Sequence, residues 1–161
     1  MLTFGWSVYS TIGDGSDDIV VTKQQRTERG ELAGIQLARL KTTTGQLKSE
    51  SHEMPAGTRN WLVDATNEPR IVTAYVDGRQ KAYWRDPSTR KWVEIVDHDG
   101  NEAGEFYPLR VEPDGSVLVI AGPGSDTTSL YRFDPATRKL DPEAVVGVKG
   151  FDLNLVLESD G

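Results

Sequence analysis

The stretch YWRDPSTRKW, residues 83–92, returns nearly unchanged as YRFDPATRKL at residues 131–140. A third and weaker copy, GIQLARLKTTTGQLKSE, occupies residues 34–50. The copies align on one threonine each, 45 and 48 residues apart: Thr44, Thr89 and Thr137. Repeats with a period of about 40–50 residues indicate a protein that stacks copies of one supersecondary unit.

Each copy predicts two strands joined by a four-residue turn. The side chains of Asp86 and Asp134 can accept hydrogen bonds from the backbone just ahead of them. Pro87 and Pro135 then fix φ at the next position, as a type I turn requires. The turn explains the motif completely, so we expect these aspartates to be structural and not catalytic.

Another hairpin is predicted ahead of each copy, in residues 5–23, 59–78 and 106–122. The turns are GDGSDD, ATNEP and PDG, and the flanking segments are rich in β-branched and aromatic residues. The apolar runs Ile71–Val72 and Leu118–Ile120 are typical of strands buried on both faces. Four strands in 45–50 residues is the pattern of a β-propeller blade.

The sequence therefore predicts an all-β fold, a single partial β-propeller of three four-stranded antiparallel blades plus one strand of a fourth. The predicted blades cover about residues 2–54, 55–103 and 104–150, and FDLNLVLESDG (151–161) repeats the opening strand. Propellers close with about four to eight blades, so three blades leave the ring open. We expect either a piece of a larger protein, which the ending at an Asp-Gly turn favours, or several chains that assemble.

The composition bounds the function. Lys plus Arg number 18 against 25 Asp plus Glu, a net charge of −7. Without a basic cluster, neither nucleic acid nor an anionic membrane is an expected partner. The absence of cysteine excludes disulfides and thiolate chemistry and leaves the compartment open. The opening MLTFGWSVYS lacks the pattern of a signal peptide, and the apolar runs are too short to cross a bilayer.

No nucleophile or metal motif is complete. No serine of the sequence has glycine both two positions before and two positions after it, as a G-x-S-x-G elbow needs, and this includes Ser7, Ser16, Ser116, Ser125 and Ser129. His52 and His98 are predicted to be exposed in connections between blades. We therefore assign no residue to catalysis, a cofactor or a metal.

Two loop motifs partly match the patterns of ligand-binding loops. Residues 97–108 start like a calcium loop at Asp97, Asp99 and Asn101, but Glu102 and Pro108 replace the required Gly and Glu, which predicts an acidic connection. GPGSDT (122–127) lacks the third glycine of a dinucleotide fingerprint and predicts a loop between the second and third strands of blade three.

The aromatic residues could suggest a sugar-binding platform, but they recur at equivalent places in the repeat. Tyr83 and Tyr131 are an example, and such recurrence is typical of a scaffold. We expect packing between blades for the whole set: Trp6, Trp61, Trp84, Trp92, Tyr83, Tyr107 and Tyr131.

Taken in order, the segments GWSVYSTIGDGSDDIVV, WLVDATNEPRIVTAYVDGRQKAYWRD, FYPLRVEPDGSVLVIA, DTTSLYRFDPATRKL and KGFDLNLVLESDG resemble the N-terminal β-propeller of the prolyl oligopeptidase family of serine peptidases. The similarity covers essentially the whole chain and is closest to bacterial acyl-aminoacyl-peptidase-like members. In that family the propeller caps an α/β-hydrolase domain and restricts access to a Ser-Asp-His triad.

The resemblance implies a non-catalytic propeller fragment that gates or contacts the peptide substrate of a parent peptidase. The hydrolase domain, its expected partner, is absent from this chain, so no catalytic residue can be transferred to it. The alternative is a free-standing binding or adaptor module that self-associates. Its open flanks would expose residues such as Ile19–Val21 and Leu118–Ile120, and the strand Phe151–Glu158 would offer an unpaired edge.

Overall fold

The computed structural model of the protein describes residues 5–12, 15–99, 106–122 and 127–147. Within these ranges the chain forms twelve strands and no helix. The strands are β1 (Trp6–Thr11), β2 (Asp18–Arg26), β3 (Leu32–Lys41), β4 (Gln46–Ser49), β5 (Thr58–Val63), β6 (Pro69–Val76), β7 (Arg79–Arg85), β8 (Trp92–Asp99), β9 (Phe106–Val111), β10 (Val117–Ala121), β11 (Ser129–Asp134) and β12 (Lys139–Leu140).

The strands form three four-stranded antiparallel sheets, each of four strands consecutive along the chain: sheet 1 (β1–β4), sheet 2 (β5–β8) and sheet 3 (β9–β12). Every neighbouring pair is a hairpin, which is the construction of a propeller blade. The predicted all-β fold of three blade-like sheets is thus confirmed. The predicted strand of a fourth blade, residues 151–161, lies outside the described residues.

The sequence repeat is a repeat of strand register. Equivalent residue pairs near the turn of the third hairpin are Leu40 with Leu47 in sheet 1, Arg85 with Trp92 in sheet 2, and Phe133 with Leu140 in sheet 3. Two residues earlier, Val21 pairs with Ala38, Val72 with Tyr83, and Val119 with Tyr131. All three valines are fully buried, and Tyr83 and Tyr131 are structurally equivalent as predicted.

The chain divides into two compact units, residues 1–100 with sheets 1 and 2, and residues 101–161 with sheet 3. In the first unit, one face of sheet 1 packs on sheet 2 through a cluster formed by Ile12, Val20, Leu37, Trp61 and Val72. Tyr83 and Trp92 flank this cluster, so the predicted packing role is confirmed for these aromatics and for Trp61.

Trp61 is the centre of this core. Its indole Nε1 donates to the carbonyl of Ile35 in sheet 1 at 2.6 Å, and its own carbonyl accepts the hydroxyl of Tyr9. The ring of Trp92 meets it edge-on at 5.8 Å between centroids. Burial raises the pKa of the Tyr9 hydroxyl, which keeps it a donor. The two sheets are therefore joined by directional bonds as well as by apolar contact.

Sheet 3 has a core of its own. Phe106 on β9 and Phe133 on β11 meet edge-on at 5.0 Å between ring centroids, beside the buried Val117 and Val119. After β12 the chain returns to β11, where Leu130 bridges to Val146. Tyr107, by contrast, is 46% exposed, so the prediction that it packs between blades is wrong.

Most of the residues expected to lack cover are buried, and Ile19 and Ile120 are partly buried. Val20 and Val21 are 2% and 0% exposed, and Leu118 and Val119 are 8% and 0% exposed. Val21 packs with Ala38 and Leu40, against the partly buried Trp6, Ile19 and Leu47. The predicted apolar patches at Ile19–Val21 and Leu118–Ile120 are therefore wrong, because the chain itself encloses most of these side chains.

Candidate functional site

The repeated aspartates are turn residues, as predicted. Oδ1 of Asp86 accepts the backbone N–H groups of Ser88 at 2.7 Å and Thr89 at 3.3 Å. Oδ1 of Asp134 accepts those of Ala136 at 2.9 Å and Thr137 at 3.3 Å. The hydrogen bonds, from Ser88 above all, lower the pKa of Asp86, and those from Thr137 lower the pKa of Asp134.

The turn also contains a feature that the sequence reading missed. In each sheet, one residue of this turn has positive φ: 72° at Gly45, 59° at Arg90 and 57° at Arg138. It lies two positions before Leu47, Trp92 or Leu140, respectively. In sheets 1 and 2 its N–H donates to the carbonyl four residues earlier, from Gly45 to Lys41 and from Arg90 to Asp86, both at 2.8 Å. Gly45 in the weakest copy was the available signal, because glycine favours this conformation.

We expect the double substitution D86A/D134A to lower Tm by a few degrees at neutral pH, because both turns lose their acceptor. Both folded pKa values are lowered, so this stabilisation is present above the ordinary value of 3.8 and is lost as pH falls through the lowered pKa. Tm of variant and wild type should therefore converge in acid, as followed by circular dichroism.

The control for this experiment is D141A, since Asp141 is exposed and its carboxylate takes part in no recorded bond of the described residues. D141A should leave Tm unchanged. A double variant that melts with the wild type at neutral pH would contradict the turn role.

The placement of His98 was predicted wrongly. It lies in β8 opposite Gln80 and is half-buried, and its Nε2 has no hydrogen-bond partner among the described residues. His52 is exposed, in the connection between β4 and β5, as predicted. A strand was missed at His98 because its neighbours are charged, although cross-strand ion pairs can compensate such charges.

Asp97 and Asp99 also belong to β8, so the acidic connection predicted from residue 97 is wrong at its start. Asp97 accepts Nε of Arg79 at 2.6 Å and Nζ of Lys81 at 3.1 Å, and these bonds lower its pKa. Asn101 and Glu102 lie outside the described residues, and Pro108 lies in β9. The described residues contain no group of three potential metal ligands.

The loop GPGSDT lies where it was predicted, between β10, which ends at Ala121, and β11, which begins at Ser129. Its residues 123–126, with Ser125, lie outside the described residues. Ser7 lies in β1, whereas Ser116 is a turn residue whose hydroxyl donates to Asp114.

A cavity of about 160 Å³ lies at one end of sheet 2. Its lining consists of Glu68, Arg70, Arg85, Pro87 and Arg90. The connection between β5 and β6 supplies Glu68, β6 supplies Arg70, β7 supplies Arg85, and the Asp86 turn supplies the rest. The register of Ile71 with Trp84, continued by one residue, places Arg70 opposite Arg85.

The three arginines differ in their partners. Nε of Arg70 bonds Asp64 at 2.6 Å, and Arg90 lies 3.6 Å from Glu68 in a largely exposed pair. Arg85 donates Nε to the carbonyl of Arg90 at 3.2 Å and lies over the ring of Trp92, but no carboxylate of the described residues pairs with it. Its Nη1 is buried and has no hydrogen-bond partner in the part of the chain that the structure describes.

Asp64 is the acidic partner of Arg70 and does not pair with Arg85. Burial raises its pKa, but hydrogen bonds from Thr66, Arg70 and the N–H of Glu68 together hold the pKa below the ordinary value. Its Oδ1 already accepts the backbone and hydroxyl groups of Thr66. The ionised carboxylate is engaged by its own turn and by Arg70, and it forms no ion pair with Arg85 among the described residues.

No family model, characterised protein or solved structure matches this chain. The described residues include no helix that could cross a membrane. The class of the protein therefore rests on its architecture, which is all-β with three four-stranded antiparallel sheets of blade type.

Proposed function

We propose that the chain is a non-catalytic part of the β-propeller of a serine peptidase like those of the prolyl oligopeptidase family, and that it gates or contacts peptide substrate in the parent protein. The observation that carries the proposal is the threefold repetition of one hairpin register in three sheets of blade type. The motif order WLVD, YWRD, PDG and LYRFD supports the family assignment.

The burial of the three sheets agrees with a scaffold role. The equivalent valines Val21, Val72 and Val119 are all fully buried, which is what stacked blades require of the middle of each sheet. The repeated aspartates accept hydrogen bonds within their turns, and Asp97 forms ion pairs with the side chains of Arg79 and Lys81. These groups contribute to structure, and the proposal gives them no part in bond cleavage.

The proposal is tested by reading the genomic frame on both sides of the chain and by assaying the purified protein. We expect further blades and a G-x-S-x-G elbow in the same frame. The chain alone should not hydrolyse aminoacyl-nitroanilides, whereas the chain joined to the hydrolase region should. An open reading frame without a hydrolase region, or inhibitor-sensitive turnover by the chain alone, would contradict the proposal.

A self-associating binding module is the second candidate. It is favoured by large apolar side chains that remain in solvent, with Val8 58% and Tyr75 50% exposed. Light scattering coupled to gel filtration tests it: assembly should weaken in V8D/Y75D and persist in a variant of a charged residue such as K48E. A monomer at micromolar concentration would exclude this candidate.

A further inference from the structure

The arginine cavity departs from the repeat on which the fold is built. Near the repeated turn, one residue of the third strand of each sheet lies opposite one residue of the second strand. This pair is apolar in sheet 1, where Ile19 lies opposite Leu40, and in sheet 3, where Val117 lies opposite Phe133. The same two places in sheet 2 hold Arg70 and Arg85. Leu40, Val117 and Phe133 are 7%, 1% and 5% exposed, so sheet 2 carries two guanidinium groups where its counterparts bury hydrocarbon.

Two arginines at places that are apolar in the other sheets are unfavourable unless negative charges or hydrogen-bond acceptors compensate them. Like charges directly opposite each other in a sheet repel, and a half-buried guanidinium loses part of its hydration. Asp64 compensates Arg70, but no described carboxylate pairs with Arg85. Within the described part of the chain, Nη1 of Arg85 is buried without an acceptor. The cavity is thus short of one negative group that could pair with Arg85.

The size of the cavity limits what that group can be. A volume of 160 Å³ is that of about five water molecules. It is below the range of about 300–1,000 Å³ that whole small-molecule ligands occupy. Carboxylate and phosphate groups fit it, and both match the fork of N–H donors on a guanidinium group.

We propose that this cavity is a binding site for a single oxyanionic group, a carboxylate or a phosphate, held by Arg85 with Arg70 and Arg90. Glu68, the one carboxylate of the lining, is more than one-third exposed and holds Arg90 only at 3.6 Å, so it turns outward when the anion enters. The site lies wholly in sheet 2, and the proposal is independent of whether the chain belongs to a peptidase.

The test is a titration of the intact chain, at constant ionic strength, with inorganic phosphate and separately with acetylglycine, followed by NMR of the arginine Nε–H groups. We expect saturation with a dissociation constant of about 1 mM or tighter for at least one anion. Acetylglycinamide, which lacks the charge, should not bind. The tighter of the two anions identifies the source as phosphate or a peptide carboxylate.

Two substitutions at Arg85 keep the test independent of folding. R85L introduces the residue that sheet 1 has at this place, so it should retain or raise Tm while weakening the anion about tenfold or more, and R85Q should weaken it similarly. E68Q should tighten binding, because it removes a negative charge from the lining. R110Q, which removes an exposed arginine of sheet 3, is the matched control and should bind as the wild type does.

Three results would overturn the proposal. They are equal binding of the anion by wild type and R85L, saturable binding of acetylglycinamide as tight as that of acetylglycine, and shifts that saturate with neither anion in the wild type. The first would show a general salt effect on the surface, since phosphate stabilises proteins without a specific site.

Discussion

Replacing Gly57 by alanine is expected to destabilise the first unit by about 2–4 kcal/mol, although it adds only one methyl group. Gly57 precedes β5 with φ of 68°, and its carbonyl accepts the N–H of Tyr75 at 3.0 Å. A Cβ there would lie 2.4 Å from the carbonyl oxygen of Tyr75 and 2.9 Å from a methyl group of Val76. The backbone cannot yield without breaking the pairing of β5 with β6.

The matched control is G45A. Gly45 has nearly the same φ, 72°, but a Cβ there would meet nothing within 4 Å. Arg90 and Arg138 already adopt this conformation at the equivalent places, so the cost should be about 1 kcal/mol. Chemical denaturation followed by tryptophan fluorescence gives both values, because all four tryptophans lie in the first unit. Equal effects of G57A and G45A would refute the predicted clash.

Removing the indole of Trp61 is expected to cost about 3–5 kcal/mol, which is a large part of the stability of a small domain. Trp61 is 1% exposed and contributes to the cluster that joins sheets 1 and 2. W61A would leave a cavity between the sheets and an unsatisfied carbonyl at Ile35. The free energy of unfolding, measured in urea by circular dichroism, should fall by this amount.

The phenylalanine variant separates packing from hydrogen bonding. W61F retains most of the buried area and loses the bond to Ile35, so we expect about 1–3 kcal/mol. W84F is the control, because Trp84 is only half-buried and has no recorded hydrogen bond among the described residues. If W61F costs no more than W84F, the bond to Ile35 contributes nothing to holding the sheets together.

The repeated turns made the sheets predictable, because a local motif such as Asp86–Pro87 fixes both the hairpin and the register of its strands. The end of β8 could not be predicted in the same way. The segment DHD at residues 97–99 has the composition of a polar loop. In the structure it pairs with RQK at residues 79–81 on β7. Arg79 then lies opposite Asp99 and Lys81 opposite Asp97, so the strand is stabilised by cross-strand charge and not by an apolar pattern.

The arginine cavity shows a different limit of sequence reading. Arg85 reads as an ordinary surface residue within the second copy of the motif. Its unusual character appears when the copies are aligned by strand register, because Arg85 is then equivalent to Leu40 in sheet 1 and to Phe133 in sheet 3. That comparison was available in the sequence. The burial of Nη1 of Arg85, and its lack of a carboxylate partner among the described residues, can be seen only in the three-dimensional structure.

The last strands of sheets 1 and 2, β4 and β8, are edge strands, and their composition affects whether a further β-strand can pair with them. β4 has only four residues and includes Lys48, while β8 carries Glu94, Asp97 and Asp99 along its length. Short and charged outer strands are poor templates for backbone pairing with a second molecule. Amyloid-like growth from these two strands should therefore be slow even in concentrated solution, and a partner protein would gain more from contacting a sheet face than from extending a ladder.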